Sequence, residues 1–117
     1  MRVAVISDIH SNYKALEAFL AYIEDCRVDA VIGLGDYVTD CPYPERTLSL
    51  LHEMEKKYPC HLLRGNREEY LLDNRRQDQG WHISSPNGAL YYTYRHMSGA
   101  DLDWMEAMPS EAVLQLG

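Results

Sequence analysis

Four side chains able to bind a metal ion stand directly after short apolar runs. Asp8 and His10 follow Val3 to Ser7, Asp36 follows Ala30 to Leu34, and Asn66 follows Cys60 to Arg64. Taken singly, Asp and Asn after a strand are ordinary helix caps and turn formers. Three such sets in register are harder to explain that way, because a capping Asp needs no His two residues on. Gly35 and Gly65 immediately precede Asp36 and Asn66, which permits close backbone approach or dihedrals barred to other residues. Carboxylate, amide and imidazole donors without a thiolate suit hard or borderline divalent ions such as manganese, iron or zinc. A carboxylate lying between two such ions can bridge them.

The elements that must position these groups are legible around them. Arg2 to Ser7 is a β-branched apolar run without alternation, which predicts a central strand covered on both faces. Leu16, Phe19, Leu20 and Ile23 then recur at helical spacing, with Ser11 or Asn12 placed to cap. Ala30 to Leu34 repeats the strand signal. Pro44 opens a second helix with Leu48, Leu51, Met54 and Tyr58 on its apolar face, and Pro59 stops it. Cys60 to Arg64 is a third strand, and Gly65-Asn66-Arg67-Glu68 turns it into a helix reaching Arg76. This β-α-β-α-β-α order predicts an α/β fold with a parallel sheet whose strands all end at one edge, so the four ligand candidates converge there.

The signal weakens beyond Arg76. Gln77 to Gly80 is polar and Ser84 to Gly88 is turn-forming, so a loop is expected, then a helix over Ala89 to Arg95. Ser98 and Asp101 have capping-box spacing ahead of Leu102, Trp104, Met105 and Met108. Glu111 to Leu116 is expected to begin another strand.

A chain of 117 residues holds a single domain, 1–117, and its 46% hydrophobic and 25% charged content is that of an ordinary globular protein. The net charge of -7, without any dense basic stretch, argues against nonspecific nucleic-acid binding. No signal peptide or membrane segment is read, so a cytoplasmic protein is expected. Cys26, Cys41 and Cys60 are widely spaced and are read as free, partly buried thiols.

In its Asp8-Ile9-His10, Gly35-Asp36 and Gly65-Asn66-Arg67-Glu68 segments, with their order and spacing, the sequence resembles the calcineurin-like metallophosphoesterases over about residues 1–76. The resemblance implies an α/β/β/α sandwich with a di-metal centre at the strand ends. Asp8 and His10 would hold one ion, Asp36 would bridge, and Asn66 would hold the second. It further implies hydrolysis of phosphate esters or phosphoanhydrides by metal-activated water, with a nucleotide, a phosphoprotein or a small phosphodiester as the phosphorylated substrate.

Two departures stand out. Family members usually carry Gly-Asn-His, and Arg67 occupies the His position here. Arg stays protonated to a pH above about 12, so it cannot act as an acid, but its fork of donors can hold a phosphoryl oxygen. The later family motifs, a lone His and Gly-His-x-His, have no counterpart before Gly117. By resemblance the chain is thus an amino-terminal portion of such a domain, expected to be weak or inactive alone and to self-associate through an unfinished sheet. The alternative is a non-catalytic scaffold or binding module with the same fold. His52, His61, His82 and His96 lack ligand spacing to a partner. Tyr91, Tyr92 and Tyr94, near Trp81, are read as packing, and Glu68-Glu69 with Arg75-Arg76 as a solvated helix face with modest ion pairs.

Overall fold

The computed structural model describes residues 1–76 and 87–117, so Trp81, His82 and most of the expected loop lie outside the described residues. Three strands, β1 (Val3–Ile6), β2 (Ala30–Gly33) and β3 (Cys60–Leu62), form a parallel sheet in the order β1-β2-β3. The register sets Val5 beside Ile32 and Ile32 beside His61. Helices α1 (Tyr13–Cys26) and α2 (Pro44–Lys57) are the two crossovers, and α3 (Asn66–Arg76) follows β3. Two shorter helices, α4 (Gly88–Arg95) and α5 (Gly99–Glu106), complete the described residues. The β-α-β-α-β core is therefore as the sequence predicts.

Local chemistry sets the helix ends. Asn12 caps α1 by accepting from the Ala15 N–H at 3.1 Å. Pro44 occupies the first turn of α2, and Lys56 and Lys57 sit at the carbonyl-rich end of its dipole. Ser98 and Asp101 form a reciprocal capping box at α5. Arg75 and Arg76 lie on a solvated face and make exposed ion pairs, as expected. They tie α3 to α5, with Arg75 at 2.7 Å from Asp103 and Arg76 at 3.3 Å from Glu106.

Right-handed crossovers that step in one direction place α1 and α2 on the same side of the sheet. Ala4, Ile6, Val31 and Leu62 point to that side and join a core with Leu16, Ile23, Leu48, Leu51 and Met54. The opposite side is open: Val5 is 56% exposed and Leu34, just past β2, 48% exposed. The expectation of a central, doubly covered β1 is thus corrected, since among the described residues β1 pairs with β2 alone. An unalternating apolar run reports that both faces are apolar; it carries no information on what covers them. The expected strand at Glu111–Leu116 is also corrected. Residues 111–117 form no strand and Val113 is fully exposed; Ala112 and Leu114 line a cavity beside Cys60–Leu63 without joining the sheet. Pro109 instead lends its carbonyl to the Arg64 N–H at 2.9 Å. Tyr94 packs against the core as expected, and the three cysteines are free and partly buried.

Candidate metal centre

The loops that leave β1 and β2 run side by side. Asp8, His10 and Ser11 donate their N–H groups to the carbonyls of Gly35, Asp36 and Tyr37 at 3.0–3.1 Å, so the sheet pairing continues past the strands. The buried Ser11 hydroxyl then accepts from the Thr39 N–H at 2.9 Å. These stitches need unusual backbone. Asp8, His10, Ser11, Asp36, Thr39 and Asp40 all have φ between 49° and 81°, a region that non-glycine residues seldom occupy and that clusters at functional sites.

The third loop approaches as closely as atoms allow. A Cβ on Gly35 would stand 2.5 Å from the Gly65 backbone, and one on Gly65 would stand 2.6 Å from Asp36 N and Oδ1. Glycine is required at both positions, and this contact brings the amino end of α3 against Asp36. The Asp36 Oδ1 accepts from the Arg67 N–H at 2.9 Å, which sets a carboxylate on the positive end of a helix.

Glu68 holds the junction together. The sequence reading placed it on a solvated face; it is fully buried. Its Oε1 accepts from Asp36 N at 2.7 Å and Gly65 N at 3.0 Å, and its Oε2 from Tyr37 N at 3.2 Å. Burial pushes its carboxyl up to about 7 although these donors pull the other way. The available signal was its place as third residue of α3, from which an acid reaches back to the residue before the helix, as in half of a capping box.

Asp8, His10 and Asp36 each offer one donor atom within 4.8 Å of the others. Ligands about 2 Å from a shared divalent ion have slightly smaller separations, so modest side-chain rotation closes the set. The Ser7 hydroxyl donates to Asp8 and holds its carboxyl below the usual carboxylate range, in the ionised form a cation needs. Two carboxylates and an imidazole fit a hard or borderline divalent ion. Among the described residues this is the single such cluster of acids, His and Cys. Asn66, in the first turn of α3, is exposed and makes no hydrogen bond to the three. The Arg67 guanidinium lies 3.4 Å from Asp40, beside His10.

The profile of the calcineurin-like phosphoesterases matches residues 1–116. The chain belongs to the calcineurin-like phosphoesterase family. The match extends past Arg76, where the motif resemblance stops. As a calcineurin-like phosphoesterase the chain is 27% identical over 107 residues to the uncharacterised protein MJ0912 of Methanocaldococcus jannaschii, covering 92% of this chain and 42% of that protein. A crystal structure of a metallophosphoesterase from Sphaerobacter thermophilus superposes with a TM-score of 0.72 at 27% identity, over 97% of this chain and 43% of that one. The hypothetical protein PH1004 of Pyrococcus horikoshii shares the fold, with a TM-score of 0.76 at 20% identity over 92% of this chain and 47% of its own. The chain thus spans less than half the length of the relatives it matches. Among the described residues, no helix is long and apolar enough to cross a membrane.

Proposed function

We propose that the protein takes part in metal-dependent hydrolysis of phosphate esters or phosphoanhydrides, acting in the cytoplasm. The observation that carries this reading is the convergence of Asp8, His10 and Asp36 at the strand ends with Arg67 on the adjoining helix turn. Divalent ions bound there, manganese, iron or zinc, supply a water of lowered pKa and neutralise charge on phosphoryl oxygens. Asp8 and His10 would hold one ion, Asp36 would be shared with a second, and Asn66 would contribute to that second ion. Arg67 orients the phosphoryl group and meets the charge that develops on its oxygens, a role for fixed cationic donors. It does not transfer a proton.

Arg67→Ala tests the substrate role. In a full-length version, with manganese content measured by atomic absorption, the variant should keep its metal while hydrolysis of an aryl phosphate falls roughly 100-fold, in the range typical of a lost charge-stabilising donor. Loss of metal would assign Arg67 to the ion site instead. A full-length version that binds manganese with no turnover at all would favour the scaffold reading.

The open side of the sheet also supports self-association of the 117-residue chain. The outer edge of β1 is unpaired among the described residues, beside exposed Val5 and Leu34, and such edges pair with further copies. Sedimentation over a concentration series should show mass rising with concentration, and Val5→Lys should return the chain to monomer. A strictly monomeric wild type would end this reading.

A further inference from the structure

Asp40 was not among the ligand candidates, yet one of its oxygens faces two of the residues that matter most. Its Oδ2 lies 3.2 Å from His10 Nδ1 and 3.4 Å from an Arg67 terminal nitrogen. The His10 Nδ1 is shielded from solvent and has no other partner, and Asp40 stands off the line of a well-formed hydrogen bond to it. A small rotation of the carboxylate completes that bond. On its other side, His10 Nε2 points toward Asp8 Oδ1 at 3.4 Å, within the ligand cluster.

The backbone holds Asp40 in place at a cost. The Cys41 N–H donates to the Thr39 carbonyl at 2.9 Å, closing a γ-turn centred on Asp40, whose φ is 71°. Positive-φ γ-turns are rare and strained. The neighbouring Thr39, with φ of 81°, is anchored by its N–H to the buried Ser11 hydroxyl.

The geometry points to Asp40 as a positioning residue that fixes the His10 ring through Nδ1 and holds the Arg67 guanidinium beside it, so that one carboxylate sets both the metal-binding and the phosphate-binding side chain. The inference rests on the function proposed above. A metal-ligating His generally donates its second ring N–H to a carboxylate or carbonyl, which selects the tautomer that leaves the other nitrogen free. Here the same carboxylate also carries the charge that keeps a flexible Arg within reach of the ion. Asp40 would thereby set the metal-binding His10 and the phosphate-binding Arg67 relative to each other without itself touching ion or phosphate.

Two variants separate position from folding. Asp40→Gly removes the carboxylate while suiting a positive φ, and Asp40→Asn keeps an acceptor oxygen and tolerates the same backbone. In the metal-free chain at pH 8, nitrogen-15 spectra of the imidazoles, assigned against His10→Gln, should show His10 protonated at Nδ1 in wild type and in Asp40→Asn. In Asp40→Gly it should switch to Nε2, and the Arg67 Nη–H resonances should lose protection from exchange. Manganese affinity by calorimetry should fall about 10-fold in Asp40→Gly and be largely retained in Asp40→Asn. An unchanged tautomer in Asp40→Gly overturns the inference whatever the activity. A tautomer that switches in Asp40→Gly while the wild-type chain takes up no manganese overturns the proposed function and leaves the role of Asp40 toward His10 standing.

Discussion

Replacing Glu68 with leucine should cost at least about 3 kcal/mol of stability and abolish manganese binding. The substitution fills the space with apolar atoms but orphans three backbone N–H groups, those of Asp36, Tyr37 and Gly65. Each buried donor left without a partner costs roughly 1–3 kcal/mol. For a chain of this size that lowers the midpoint of thermal unfolding by roughly 10 °C or more. The neighbouring acid serves as the control. Glu69 is partly exposed and pairs with Arg64 and Arg76, so Glu69→Ala should cost no more than about 1 kcal/mol. Calorimetric melting of both variants checks the contrast, and equal losses would show that the junction does not depend on Glu68.

The same group gives a pH signature to the metal-free chain. Its folded value of about 7 lies above the ordinary 4.5, so the folded chain holds this proton where the unfolded chain has released it. The stability contribution is then fully present below about pH 4.5 and is lost as pH rises through about 7. Urea unfolding at pH 5 and pH 8 should show this loss in wild type and a flatter profile in Glu68→Gln, which has no proton to release.

The second large effect concerns Asp36. Asp36→Asn keeps the oxygen that accepts from Arg67 N and so leaves the helix junction intact, while removing the charge proposed to face both ions. Manganese affinity measured by calorimetry should fall about 100-fold, or roughly 3 kcal/mol. His10→Ala removes one neutral ligand of one ion and should cost nearer 10-fold, about 1.4 kcal/mol. Equal losses would point to a single-ion site.

The parts of this site that could be read from sequence are those with local causes. Asp8, His10 and Asp36 were visible because each follows a short apolar run, and a parallel sheet brings such positions to one edge. Glu68 was not, because an acid in the first turn of a helix reads the same whether it faces water or accepts from Asp36 and Tyr37, more than thirty residues away. Asp40 was hidden for a similar reason: its partners His10 and Arg67 lie 30 residues before it and 27 after it. The edge position of β1 and the unpaired 111–117 segment show the limit from the other side. Apolar content sets which residues seek burial, whereas strand pairing depends on a neighbour that the local sequence does not contain.

Among the described residues, six of the seven non-glycine positions with left-handed backbone lie in the two loops around the ligand cluster, and the seventh, Arg27, ends α1 far from it in sequence. This has a consequence for engineering. Selection for heat resistance alone rewards glycine where the side chain satisfies no backbone N–H, as at Asp8, His10, Asp40 and Arg27, since each change relieves roughly 1 kcal/mol or more of conformational penalty, whereas Ser11 and Asp36 accept from the Thr39 and Arg67 N–H groups. At Arg27 the gain comes free of any functional loss. At Asp8, His10 and Asp40 the same change deletes the chemistry, so a library screened only for thermal tolerance would drift toward a sturdier and inert protein.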